Sequence, residues 1–81
     1  MEKDCVKIFK CLADKSRLLI VNNLMESPMY VELLSERLNL APSTISFHLK
    51  KLEEVKLVHS VKEQYYVVYH LNEKMLSLSL K

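Results

Sequence analysis

The sequence predicts a small, mainly α-helical domain that carries one β-hairpin. Apolar residues recur at helical spacing up to residue 55, and the pattern then changes to runs rich in Val and Tyr within residues 57–71. The chain has 81 residues, of which 49% are hydrophobic and 27% charged, with a formal net charge of +2. Such a composition is typical of a folded globular protein, and residues 1–81 are predicted to form a single domain.

Two helices are expected before residue 27. Residues 3–13 fit the first helix, and Asp14 can cap a second helix at residues 17–25, which the dipeptide Ser27-Pro28 ends. The expected inward-facing residues of the first helix are Val6, Ile8 or Phe9, and Leu12 or Ala13. Those of the second helix are Leu18, Val21, Leu24 and Met25.

Residues 31–55 have the pattern of a helix, a tight turn and a second helix. Apolar residues recur at helical spacing on both sides of an interruption at residues 39–43. Pro42 suits the first turn of the second helix, where its missing N–H is not needed. The periodic residues are Val31, Leu34 and Leu38 before the interruption and Ile45, Leu49 and Leu52 after it. This arrangement predicts a helix-turn-helix.

The second helix of this pair has an outer face suited to DNA. At about 100° per residue, the ridge of Ile45, Leu49 and Leu52 faces inward, and hydroxyls, lysines and an aromatic ring lie away from it. Hydroxyls near a helix N-terminus suit groove reading and phosphate contact, and lysines neutralise phosphates. The candidate DNA-binding residues of this helix are Ser43, Thr44, Ser46, Phe47, His48, Lys50 and Lys51.

Three features of this helix have structural alternatives. Its lysines can pair with Glu53 and Glu54 as an ordinary solvated face. The Phe47 ring, opposite the buried ridge, must cover a neighbouring element, a partner chain or a ligand such as a base edge. His48 flanks the buried ridge, where a hydrogen-bonded core histidine is the alternative to a DNA contact.

Residues 57–71 have the pattern of a β-hairpin, with two runs of alternating character joined by a tight turn. A two-stranded hairpin is not stable alone, so we expect it to lie against the helices. Three to five helices with a two-stranded wing directly after the helix-turn-helix make a winged helix-turn-helix. The tip residues Lys62, Gln64 and Tyr65 are then candidates for contact with the adjacent DNA backbone or minor groove.

Residues 73–81 fit either a short helix capped by Asn72 or a strand, because Leu and Ser alternate from Leu76 to Leu80. An end so rich in leucine needs a partner. We therefore expect this short C-terminal segment to pack against a second copy of the chain, or the chain to be the front part of a longer protein.

Several classes of protein are excluded. No apolar run reaches membrane length and the N-terminus lacks the apolar core of a signal peptide, so we expect a cytoplasmic protein without membrane contact. The chain has no Gly to build a phosphate loop and no Ser, His and acid arrangement beyond chance. Neither an enzyme nor a cofactor is predicted.

A metal site is not predicted either. Cys5 and Cys11 lie about 240° apart around one helix, so one chain does not easily place both on one ion, although two chains of a dimer can. His59 and His70, expected to be neighbours on the hairpin, are too few for a closed zinc site. Without a secretory context, a structural disulfide is also not expected.

Three segments, in order, follow the pattern of one known family. They are Leu12-Ala13-Asp14-Lys15-Ser16-Arg17-Leu18, then Ser43-Thr44-Ile45-Ser46-Phe47-His48-Leu49-Lys50-Lys51-Leu52, then Leu57-Val58 with Tyr69-His70-Leu71-Asn72. The chain thereby resembles the ArsR/SmtB family of bacterial winged-helix repressors. The resemblance implies a homodimer, joined mainly by its first and last helices, that binds a double-stranded DNA operator and releases it in response to an effector.

The chain departs from the family pattern at several positions. Phe47 stands where the family commonly has Arg, so the ring can make only apolar contact, for instance with a thymine methyl. Asn39 and Lys56 stand where it usually has Gly, and Gln64 with Tyr65 replaces the usual Gly-Arg of the wing tip. These last replacements weaken the expectation of a phosphate contact by the wing.

The metal sites of the family are also missing from the pattern. Residues 30–32 read Tyr-Val-Glu where many relatives have Cys-Val-Cys, and residues 73–81 offer only Glu73 in place of the Asp, His and Glu of zinc-binding relatives. The sequence therefore predicts a homodimeric, sequence-specific transcriptional repressor without the usual metal sites. The alternatives are the DNA-binding front of a longer regulator, or a winged-helix module that binds protein with Phe47 as its apolar anchor.

Overall fold

A computed structural model describes residues 4–79 and shows, within them, five α-helices and a three-stranded antiparallel sheet. The elements are α1 (Asp4–Leu12), α2 (Lys15–Glu26), β1 (Met29–Tyr30), α3 (Val31–Leu38), α4 (Pro42–Glu54), β2 (Val58–Glu63), β3 (Tyr66–Leu71) and α5 (Glu73–Ser79). Helices α3 and α4 form the helix-turn-helix, and β2 with β3 forms the wing. The predicted winged helix-turn-helix is confirmed.

Side chains and turn residues fix the ends of the helices. The Asp14 carboxylate accepts a hydrogen bond from the Arg17 backbone N–H at 3.1 Å, which is the predicted cap of α2. Asn72 caps α5 in the same way, since its Oδ1 accepts from the Met75 N–H at 3.1 Å. Asn39 ends α3 with a left-handed φ of 54°, a conformation that Asn tolerates better than most residues.

The C-terminal segment is a helix rather than a strand over the residues described. Leu78 is exposed on α5, whereas the Ser79 hydroxyl is buried and donates to the Met75 carbonyl at 2.8 Å. Helices α1 and α5 lie against each other. The predictions for Lys3 on the first helix and for Leu80 at the end of the chain lie outside the described residues.

The sheet contains one strand more than the predicted hairpin. Strand β1 has only two residues and pairs antiparallel with β3, with Met29 opposite Tyr69 and Tyr30 opposite Val68. The strand order is β1-β3-β2. Two residues are too few to display a period of two, so the sequence pattern does not show this strand. Because β1 leads directly into α3, it ties the helix-turn-helix to the wing.

One apolar core joins the helices to the base of the wing. The ridge of Ile45, Leu49 and Leu52 is fully buried, as predicted. The complete core consists of Ile8, Ile20, Val21, Leu24, Met29, Leu34, Ile45, Leu49, Leu52, Leu57 and Val58. No helix within residues 4–79 combines the length and the apolar character needed to cross a bilayer.

The buried faces of α1 and α2 differ in part from the prediction. Leu18 and Met25, expected to face inward, are 51% and 57% exposed, whereas Ile20 is fully buried. Residues 18–21 are all apolar, so the helical period alone does not identify which of them face the core. On α1 Ile8 is buried, which decides between Ile8 and Phe9, whereas Val6, also expected to face inward, is exposed.

Candidate nucleic-acid interface

The outer face of α4 carries polar side chains along its length. Ser43, Ser46, Phe47 and Lys50 are exposed, and Thr44 is half-buried beside them. The helix begins at Pro42 without a side-chain cap, so the N–H groups of its first turn are not satisfied by a neighbouring side chain. Such N–H groups, together with the positive end of the helix dipole, favour anions such as phosphate.

The Phe47 ring is exposed but is held by its neighbours. Phe47 is 54% exposed and lies on the side of α4 opposite the buried ridge. The Lys51 ammonium lies 5.5 Å from the ring centroid, in cation–π range, and the His48 ring meets it edge-on at 5.3 Å. Lys51 also lies 3.9 Å from a carboxylate oxygen of Glu54. This lysine is therefore engaged within α4, as the solvated-face alternative proposed.

His48 lies in the core rather than on the outer face. The residue is only 8% exposed, and its Nδ1 lies 3.3 Å from Nη1 of Arg17 and 4.0 Å from the Asp14 carboxylate. Because a guanidinium only donates hydrogen bonds, Nδ1 accepts, and in the neutral ring the proton lies on Nε2. His48 therefore connects α4 to the start of α2, which is the position expected for the hydrogen-bonded core histidine rather than for a DNA contact.

Arg17 connects three helices, a role that sequence reasoning missed. Its Nε donates to the Cys11 carbonyl at the end of α1 at 2.6 Å, while its Nη1 reaches His48 on α4. The Cys11 thiol in turn donates to the Lys51 carbonyl of α4 at 3.6 Å. Arg17 falls inside the first segment that resembles the ArsR/SmtB family, but the sequence alone does not connect it to His48.

Two groups in this connection have shifted pKa values. Burial is the main cause that raises the pKa of the Cys11 thiol, so this cysteine stays protonated at neutral pH. The hydrogen bond from the Arg17 backbone N–H lowers the pKa of the Asp14 carboxyl, and the positive charge of Arg17 adds to this effect. Both groups are thus in the protonation state that their hydrogen bonds require.

The predicted wing residues stand at the tip of the hairpin. Lys62, Gln64 and Tyr65 are all exposed, and Tyr65 is 95% exposed. Gln64 has a left-handed φ of 53° in the turn between Glu63 and Tyr66, where the family pattern has Gly. The predicted contact residues therefore form two groups, one on the outer face of α4 and one at the wing tip, and His48 belongs to neither.

The wing also brings its two histidines together, as predicted. His59 and His70 are opposite each other in the β2–β3 register, and their rings stack at 5.2 Å. Nε2 of His70 lies 3.6 Å from the Glu63 carboxylate. Within residues 4–79, three or more His, Cys, Asp or Glu side chains do not come together in a way that would hold a metal ion.

Comparison with known proteins identifies the family to which the chain is similar. The sequence profile of the arsR family of bacterial regulatory proteins matches residues 14–60. An uncharacterised HTH-type transcriptional regulator of Methanocaldococcus jannaschii is 34% identical over 65 residues, which make up 80% of this chain and 17% of that protein. The chain thus spans about a sixth of the length of this relative.

Solved structures show the same fold. HlyU from Vibrio cholerae is 35% identical with a TM-score of 0.83, and the match covers 99% of this chain and 92% of HlyU. An ArsR-like transcriptional regulator from Rhodococcus sp. RHA1 is 26% identical with a TM-score of 0.89, covering 95% of this chain and 73% of that protein. The matched profile spans the whole helix-turn-helix. The resemblance is confirmed, and the chain belongs to the arsR family of bacterial regulatory proteins.

Proposed function

We propose that this chain is a sequence-specific, DNA-binding transcriptional repressor that acts as a homodimer and lacks the usual metal sites of its family. The observation that carries the proposal is the division of α4 into two sides. Its apolar ridge is fully buried, so its orientation is fixed, and the side chains on the opposite side are free to enter a groove. A helix presented in this way suits the major groove of duplex DNA.

The residues of the α4 outer face divide into two roles. Ser43 and Ser46, near the start of the helix, reach base edges or phosphate oxygens through their hydroxyls. Lys50 is exposed and neutralises a phosphate further along the helix. Thr44 is half-buried at the edge of this face and contributes at most its hydroxyl. Lys51, engaged with Phe47 and Glu54, contributes less to phosphate contact than Lys50.

The wing tip supplies a second, smaller contact. Lys62 near the end of β2 and Gln64 with Tyr65 in the turn are all exposed, and we assign them to the DNA backbone or the minor groove beside α4. A lysine and a tyrosine hydroxyl both donate to phosphate oxygens. The wing therefore adds affinity, and α4 carries the sequence preference.

The homodimer is supported by apolar side chains on α1 and α5. These two helices lie against each other, and Val6, Phe9 and Leu78 on them are exposed. Large apolar residues exposed on adjacent helices suit burial against a second copy of the chain. A dimer also doubles the modest net charge of +2, which strengthens attraction to DNA.

The proposal is tested by selecting bound sequences from random duplexes and measuring affinity as a function of salt. We expect one enriched motif with near two-fold symmetry, and an affinity that falls steeply with salt. Replacing Lys50 by Ala should weaken binding to all sequences and lower the salt slope by about one unit per protomer. The control, Lys74→Ala, removes an exposed lysine on α5 and should leave the slope unchanged.

Two results would overturn the proposal. One is the absence of any enriched motif together with salt-independent affinity, which is the behaviour of a protein-binding module. The other is a salt slope that Lys50→Ala leaves unchanged, which would remove α4 from the interface. The dimer is tested separately by the mass in solution, where Phe9→Asp should shift the protein toward monomer.

A further inference from the structure

We propose that Phe47 recognises the 5-methyl group of a thymine, so that the operator carries thymine opposite this ring in each half-site. The inference rests on the proposed DNA binding by α4 and goes beyond it by naming the base. Three observations carry it: the exposure of the ring, the contacts that fix its orientation, and the chemistry that a phenyl ring offers to a base edge.

No element within residues 4–79 covers the exposed part of Phe47. More than half of the residue is accessible to solvent, on a face where its neighbours Ser43, Ser46 and Lys50 are also exposed. The ring is on the opposite side of α4 from Ile45 and Leu49, which are fully buried, so a rotamer change does not bring it into the core. It therefore remains available to a ligand that covers this face.

The ring has a fixed neighbour before any ligand arrives. The His48 ring meets it edge-on at 5.3 Å, and this imidazole is buried and tied to Arg17. Lys51 also lies over the ring at 5.5 Å from the centroid, with its ammonium 3.9 Å from Glu54 at the surface. An aromatic side chain that already packs against a fixed neighbour loses less conformational entropy on binding, which favours its use as a contact residue.

The chemistry of the ring selects one base. In the major groove guanine offers two acceptors, cytosine a donor, adenine an acceptor and a donor, and thymine an acceptor and a methyl group. A phenyl ring donates and accepts no conventional hydrogen bond, so against guanine, adenine or cytosine it would desolvate polar groups without replacing their partners. Only the thymine methyl offers apolar surface to Phe47.

The experiment replaces single thymines by deoxyuridine in the duplex that the protein binds best. This change removes one methyl group and leaves the base pairing and the groove acceptor in place. We expect one position in each half-site where the exchange weakens binding by about fourfold, the value of one buried methyl-sized group. In Phe47→Ala the thymine duplex should bind more weakly, and the exchange at that position should have no further effect.

The control variant is Ser46→Ala, which changes the same exposed face and leaves the ring intact. It should bind more weakly but keep the fourfold discrimination between thymine and uracil. Thermal unfolding of each variant, and its mass in solution, establish that fold and assembly are unchanged, as expected for exposed positions.

The possible failures are distinguishable. If no duplex is bound in a salt-dependent way, the proposed DNA binding itself is wrong. If a duplex is bound with the expected salt slope but no thymine position responds, or if Phe47→Ala still discriminates uracil from thymine, only the role of Phe47 is wrong. If Phe47→Ala changes the mass of the protein in solution, the ring covers a partner chain, and the inference is overturned.

Discussion

Helix α4 and the wing are held to the domain in different ways. Four residues of α4 are buried, namely Ile45, His48, Leu49 and Leu52, and one of them is hydrogen-bonded to α2. In β2 only Val58 is buried, and no residue of β3 is fully buried. The wing therefore depends on backbone pairing, and α4 depends on side-chain packing. Stability and DNA binding should thus be coupled in α4 and separable in the wing.

The largest difference between the two regions is expected for Leu49→Ala. Leu49 is fully buried, so the substitution removes packed methyl groups and leaves a cavity, at a cost of about 2–5 kcal/mol in the free energy of unfolding. The matched substitution in the wing, Val61→Ala, concerns a residue that is 39% exposed and should change stability by less than about 0.5 kcal/mol. Urea-induced unfolding followed by circular dichroism measures both.

If Leu49→Ala does not fold, Ile45→Val provides the same test with an expected cost of about 0.5–1.5 kcal/mol. A cost for Val61→Ala equal to that of the α4 substitution would show that the wing is packed as tightly as the helix, and the comparison would fail.

A smaller but still clear loss of stability is expected for Arg17→Met. This substitution keeps the apolar stem and removes the guanidinium. The His48 Nδ1 and the Cys11 carbonyl lose their donor, at a cost of about 1–3 kcal/mol. DNA affinity should fall as well, because the ring of Phe47 loses the support of an anchored His48. Unfolding and duplex binding are measured on the same preparation.

The control for Arg17 is Arg37→Met on α3. Arg37 lies 3.9 Å from Glu26, with both side chains largely exposed, so its removal should cost no more than about 1 kcal/mol. Equal losses in the two variants would mean that Arg17 contributes only as a surface charge, and that His48 is not anchored through it.

The dependence of stability on pH tests the same anchor. The folded-state pKa of Asp14 is lowered, so its contribution to stability is present above the ordinary carboxyl pKa of about 3.9 and is lost as the pH falls through the folded-state value. Asp14→Asn keeps an oxygen acceptor for the Arg17 N–H but does not titrate. We therefore expect its stability to fall less than that of the unaltered protein below about pH 4, in thermal unfolding measured as a function of pH.

The control for this measurement is Glu36→Gln, which removes an exposed carboxylate on α3 outside the cap. It should retain the acid dependence of the unaltered protein. If the stability of Glu36→Gln also no longer fell in acid, the acid dependence would come from net charge rather than from the cap of α2.

The sequence predicts which side of α4 is buried and which is exposed, because its apolar residues recur at one helical spacing along the whole helix. It does not identify the buried face of α2, where residues 18–21 are all apolar, or the two-residue strand β1, which is too short to have a period. The side chain of His48 lies at the edge of the ridge, so its angle alone does not decide between core and groove. Its partner Arg17 is 31 positions away, and only the fold brings the two together.

The smallest effect is expected at the tip of the wing, with Gln64→Gly. Gln64 has a φ of 53°, a left-handed conformation that is unfavourable for residues with a Cβ atom and neutral for Gly. The gain in stability from relieving this backbone conformation is partly offset by the greater freedom of Gly in the unfolded chain, so the net stabilisation should be at most about 1 kcal/mol.

Gln64→Ala separates the two roles of the residue, because it removes the polar side chain and keeps the unfavourable backbone. If backbone conformation governs the wing, Gly should be more stable than Ala and both should lose the same DNA affinity. A less stable Gly variant would mean that the turn, like α4, depends on its side chain.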